Sequence, residues 1–204
     1  RHAGRITSAS FTLDGERIAL TPNMGVHQLH GGPDGFATRH WDYIRDGNEI
    51  YRQSFAIIRS EVKLGILPPD LQTIAVRLIH ACGMTDIVED LAYSPHVAAS
   101  GHTALANGAP ILCDAQMVAH GITRDRLPAN NIIICTLRSP EVPAIAQKRQ
   151  TTRSAAALEL WRSHLGGAVV AIGNAPTALF RLLELLDEGT PKPALILGFP
   201  VGFV

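Results

Sequence analysis

The chain has 204 residues, 46% of them hydrophobic and 18% charged, enough to bury a sizeable core as one domain or as one domain with an appendage. Its 18 basic and 18 acidic residues cancel, which argues against a polyanion-binding surface and so against nucleic acid as a partner. No apolar run reaches membrane-spanning length and no secretory leader pattern opens the chain, so no membrane partner is expected. Cys82, Cys113 and Cys135 are odd in number, lie in apolar surroundings and lack C-x-x-C spacing. That pattern reads as buried free thiols in a reducing compartment, hence a cytoplasmic protein.

Residues 11–20 (FTLDGERIAL) alternate apolar and polar side chains on both sides of Asp14 and Gly15, the signature of a hairpin whose type I′ turn needs positive φ at two positions. Residues 21–36 are rich in Gly, Pro, Asn and Asp and read as loop. From Asp42 the pattern becomes helical, with Ile50, Phe55, Ile57, Ile58 and Val62 in a stretch that Gly65 and Pro68-Pro69 end. A second helix follows, with Asp70 as its expected cap, one buried stripe of Leu71, Ile74, Ala75, Leu78 and Ile79, and Gly83 as the closing residue.

Beyond it, residues 109–113, 132–136, 168–172 and 194–197 are continuous apolar runs of strand length, as expected of strands covered on both faces. Helical segments are expected between them, at 115–120, 139–147, 152–165 and 176–187. Strand, helix, strand in succession predicts a three-layer α/β domain with a parallel sheet, whose ligands sit outside the carboxyl ends of the strands.

That rule singles out three loops. In residues 172–179 (IGNAPTAL) a strand runs through Gly173 and Asn174 into a helix with Pro176 in its first turn, which suits a carboxylate or phosphate, or else is an ordinary Asn-capped turn. Asp114, at the next strand end, either caps the helix that follows it or touches a ligand. Thr151 or Thr152 caps a helix with Arg153 in its first turn, where a cation opposes the dipole; Arg153 is then an anion partner or a solvated side chain. His80 closes an apolar helix, as a dipole partner, a satisfied core residue or a catalyst, and its spacing to His96, His102 and His120 does not support zinc.

Residues 42–59 (DYIRDGNEIYRQSFAIIR), 76–83 (VRLIHACG), 108–121 (GAPILCDAQMVAHG), 152–157 (TRSAAA), 170–179 (VAIGNAPTAL) and 197–203 (LGFPVGF) closely resemble the precorrin-8X methylmutase family. The resemblance runs in the family's order from about residue 42 to 204. It implies a flavodoxin-like fold with a mostly parallel sheet, and a homodimer. The implied reaction belongs to cobalamin biosynthesis: precorrin-8X is isomerised by moving a methyl group from C-11 to C-12, giving hydrogenobyrinic acid, with no redox or metal cofactor. It places the family's catalytic histidine on His80, as proton donor and acceptor. Ser54, Arg153, Gly173, Asn174 and Asp114 become the candidate substrate-binding set.

Residues 1–6 (RHAGRI), the 11–20 hairpin and residues 25–36 (GVHQLHGGPDGF) resemble instead the N-terminal region of aldose 1-epimerases. Arg5 and His30 match that family's sugar-contacting residues, Gly4 replaces its usual Asn, and the family's acid and base fall outside the matching region, so this segment is expected to be silent. The expected organisation is an epimerase-like fragment, 1–41, joined near Trp41-Asp42 to a methylmutase-like domain, 42–204, that lacks the family's final strand and helix. The chain is then either an active methylmutase or an impaired chimera that retains at most corrinoid binding, with a carbohydrate protein as the weakest alternative.

Overall fold

The computed structural model describes residues 5–22, 25–26, 28–29 and 46–200. The expected join at Trp41-Asp42, His30 and residues 201–204 lie outside them. The chain divides into two compact units, Arg1–Ile57 and Ile58–Val204.

In the first unit, β1 (Arg5–Ile6) pairs antiparallel with β4 (Gln28–Leu29), Arg5 standing opposite Leu29. The predicted hairpin forms from β2 (Ser10–Leu13) and β3 (Glu16–Ala19), with Leu13 opposite Glu16. Its turn residues have the two positive φ values that the sequence called for, 48° at Asp14 and 85° at Gly15. Helix α1 (Gly47–Glu61) begins here and runs into the second unit. Asp46 Oδ1 accepts from the Asn48 N–H at 3.1 Å, and the Tyr51 and Phe55 rings, one turn apart, meet edge to face at 5.6 Å.

The second unit is the α/β domain. Helix α2 (Pro69–Cys82) starts on a proline, which has no N–H to leave unsatisfied. Asp70 does not cap it: the N-cap position falls on Pro68, and Asp70 sits in the first turn, where its charge favours the dipole. Gly83 ends the helix at φ 73°, its N–H donating to the Ile79 carbonyl at 2.7 Å. Of the predicted stripe, Leu71, Ala75 and Ile79 are buried, whereas Ile74 is 40% exposed; Val76 takes its place in the core.

Two helices follow that the sequence reading left out, α3 (Ile87–Asp90) and α4 (Val97–Ala106). The parallel sheet is formed by β5 (Ile111–Cys113), β6 (Ile133–Ile134), β7 (Val169–Ile172) and β8 (Leu195–Gly198), in the order β6-β5-β7-β8. Numbered by their turn in the chain the strands lie 2-1-3-4, the flavodoxin-like order. Between them run α5 (Gln116–Gly121), α6 (Val142–Arg149), α7 (Arg153–Ala157) with a tight turn at Leu158–Trp161, and α8 (Pro176–Asp187).

Strand alternation divides the core into two layers. Leu112, Val170 and Ile172 join Leu158, Trp161, Leu165, Ala178, Leu182 and Leu185 on one face of the sheet. Ile111, Cys113 and Val169 join Ala104 and Ala119 on the other. Of the three thiols, all free, Cys113 is buried and Cys135 half-buried, but Cys82 is exposed, because it lies in the last turn of α2 rather than in the sheet. Among the described residues, no helix is long and apolar enough to cross a membrane.

Candidate active site

The carboxyl ends of β5 and β7 lie side by side, Cys113 paired with Ala171. One residue on, the Asp114 N–H donates to the Ala171 carbonyl at 3.2 Å and so extends the ladder. This fixes the Asp114 side chain over the start of the β7–α8 loop. Oδ1 accepts from the Gly173 N–H at 3.0 Å, and Oδ2 accepts from the N–H groups of Asn174 at 3.0 Å and Ala175 at 2.8 Å. Asp114 is 2% exposed, while Asn174, on the loop it holds, is exposed.

Two expectations change accordingly. Asp114 does not cap α5, whose N-cap position is Ala115 with no side-chain bond; it serves the loop before α8 instead. The loop amides expected to be open to a carboxylate or phosphate already hold a carboxylate, the protein's own. Packing requires the glycine at 173: a Cβ there would stand 2.8 Å from Val118 Cγ2 on α5. The loop is thus pressed between a helix side chain and a buried anion.

Thr152 is the N-cap of α7, its Oγ1 accepting from the Ala155 N–H at 3.2 Å. The same hydroxyl lies 2.9 Å from Thr177 Oγ1 in the first turn of α8. The amino ends of α7, where the exposed Arg153 is the first residue, and of α8 are therefore tied together. At the far side of α7, Thr136 Oγ1 donates to the Ala157 carbonyl at 2.8 Å and anchors the helix to the end of β6.

Three of the six predicted site residues, Asp114, Gly173 and Asn174, are joined by these bonds, and Arg153 follows the Thr152 cap in the chain. Ser54 and His80 stand on other elements, outside these hydrogen bonds: Ser54 is half-buried midway along α1, and His80 half-buried in the last turn of α2. Thr177, Ala175 and Val118 complete the arrangement and were missed, since a hydroxyl bond between two helix ends leaves no local pattern.

The thiol beside the site is not a nucleophile. Burial, with added repulsion from Cys135 and Asp114, pushes Cys113 up to about 12, and burial also raises Cys135. Among the described residues, no group of three or more His, Cys, Asp and Glu side chains is gathered for a metal ion. A separate cavity of about 650 Å³ lies between α2, α4 and β8, lined by Leu71, Leu78, Asp90, Tyr93, His102 and Phe199 among others. None of the six predicted site residues lines it.

The fold and these loops define a doubly wound α/β protein with its candidate site at the carboxyl edge of the sheet. Residues 49–204 match the precorrin-8X methylmutase family, and the chain belongs to it. It is 67% identical over 163 residues to the precorrin-8X methylmutase of Pseudomonas aeruginosa, an alignment covering 80% of this chain and 78% of that protein. It is 60% identical over 164 residues to that of a Sinorhizobium species, covering 80% and 78%. The crystal structure of precorrin-8X methylmutase from Thermus thermophilus superposes with a TM-score of 0.68 at 37% identity, covering 78% of this chain and 77% of that one. Residues 1–62 match the aldose 1-epimerase family. Within that region the chain is 46% identical over 48 residues to the Escherichia coli aldose 1-epimerase, covering 24% of this chain and 14% of that enzyme.

Proposed function

We propose that this chain is a methylmutase that isomerises precorrin-8X to hydrogenobyrinic acid by moving a methyl group from C-11 to C-12 of the corrinoid ring. The observation that carries this reading is the 67% identity to a precorrin-8X methylmutase over 80% of the chain. In the reaction no atom is gained or lost. Protonation of the conjugated ring makes it electron-poor enough for the methyl group to migrate, and removal of a proton afterwards restores conjugation. His80 is the group assigned to give and take that proton, since an imidazole can act as both acid and base.

The substrate is a flat ring bearing many carboxylates, so its site needs cations and donors around a broad apolar face. The 650 Å³ cavity suits this poorly, because among the described residues its lining includes the anion Asp90 and neither Lys nor Arg. The sheet edge that carries Gly173 and Asn174, with Arg153 on the neighbouring α7, is the better match; Ser54 is assigned to the substrate by the family resemblance. A homodimer in the cytoplasm is the working state we assign. The methylmutase domain is taken as 42–204, following an epimerase-like fragment, 1–41, in which Arg5 and His30 are a silent remnant.

Adding precorrin-8X to the purified chain should change the absorbance spectrum, because isomerisation alters the chromophore. His80→Ala should lower turnover by about 10²- to 10⁴-fold, the usual worth of a positioned acid or base. Unchanged turnover would remove His80 from its role. Binding of hydrogenobyrinic acid without turnover by the parent chain would favour the second reading, an impaired chimera that still holds the corrinoid.

A further inference from the structure

We infer that Asp114 is a positioning residue, an internal anion that shapes the 173–175 loop so that Asn174 meets the corrinoid, and that it does not touch the corrinoid itself. The inference rests on the corrinoid reading above and changes the part Asp114 plays in it. Both carboxylate oxygens are engaged inside the protein, one by the Gly173 N–H and the other by those of Asn174 and Ala175. The carboxylate is sealed from solvent at 2% exposure, whereas the Asn174 side chain stands outside on the same loop.

Amides at the start of a helix normally attract an external anion. Here a substrate carboxylate would find those donors occupied and a like charge behind them. Recognition therefore falls to the Asn174 side chain and to Arg153, which the Thr152–Thr177 hydroxyl contact holds beside the same helix end. The close approach of Gly173 to Val118 closes the loop from the other side, so that Asp114 and Val118 together leave it one shape.

The test is a double-mutant cycle read by titration with hydrogenobyrinic acid, together with amide hydrogen exchange on the parent chain. Asp114→Asn replaces one acceptor oxygen with a donor that faces the loop amides, and should weaken binding about tenfold. In an Asn174→Ala background the same change should cost no more than about twofold, because the contact it served is already gone. A full tenfold loss in that background would mean Asp114 meets the ligand directly, and unchanged affinity in folded Asp114→Asn would mean it is structural only; either result overturns the inference. The exchange measurement needs no variant. The amides of Gly173, Asn174 and Ala175 should be protected in the free protein and no more protected when the ligand is bound. Protection that appears only with ligand would assign those donors to the corrinoid. If the folded parent chain binds no hydrogenobyrinic acid, the corrinoid reading fails and the substrate role of Asp114 with it, while protected amides would still establish the internal lock.

Discussion

Cys82 is exposed at the end of α2, whereas Cys113 is buried in β5 with its thiol pushed up to about 12. Near pH 8 a thiol reagent should therefore label Cys82 first and Cys113 only after unfolding, as peptide mapping of the alkylated protein will reveal. Fast labelling of Cys113 in the folded chain would contradict the buried strand. A second substitution probes close packing: Gly173→Ala puts a Cβ 2.8 Å from Val118, a β-branched side chain with little freedom to turn away. It should cost about 1–3 kcal/mol in urea unfolding, and Val118→Ala should recover part of it. At this scale the sequence was legible wherever the partner is near in the chain. Thr152 as a cap, Gly83 as a helix end and the Asp14-Gly15 turn could all be read from their neighbours. Asp114 could not, because its three partners lie 59 to 61 residues away.

Among the elements, α4 escaped notice because its residues (VAASGHTALA) are small and lack a clear apolar stripe. Its structure supplies the reason: a Cβ on Gly101 would stand 2.6 Å from Leu195 Cδ2 on β8, so this helix packs by close approach of backbone rather than by large side chains. The contact atom is the far end of a Leu that can change rotamer, so Gly101→Ala should cost less than Gly173→Ala in the same urea experiment. Elsewhere charge ties elements together. Glu159, in the turn after α7, accepts from Arg149 at 3.0 Å, Arg162 at 3.1 Å and Arg181 at 2.7 Å, and Arg181 also pairs with Glu184 at 2.6 Å and Glu188 at 2.9 Å. Hydrogen bonds from Arg162 and then Arg181 hold Glu188 below its ordinary value of 4.5. A lowered carboxylate stabilises the fold fully above that ordinary value and loses the effect as the pH falls through the folded one. The melting temperature should thus fall on acidification below about pH 4.5, and Glu188→Gln should flatten that part of the profile.

For the molecule as a whole, four strand-length apolar runs were enough to read a parallel sheet, since only strands covered on both faces look that way. Their order in the sheet was a matter of which neighbours the long connections allow, and it entered through resemblance. The two matched families divide the chain unevenly: the epimerase likeness covers 14% of the E. coli enzyme, the methylmutase likeness 78% of the P. aeruginosa one. Polarimetry with galactose should accordingly detect no mutarotation above background. The bond between Asp114 and the loop before α8 also sets an order of events at the ribosome. The Asp114 amide partners follow it by 59 to 61 residues, a wait of roughly 3 to 12 s at ordinary translation speeds. Until they emerge the carboxylate lacks its loop partners and β5 lacks β7, so the hairpin of the first unit can be complete well before β7 joins the sheet.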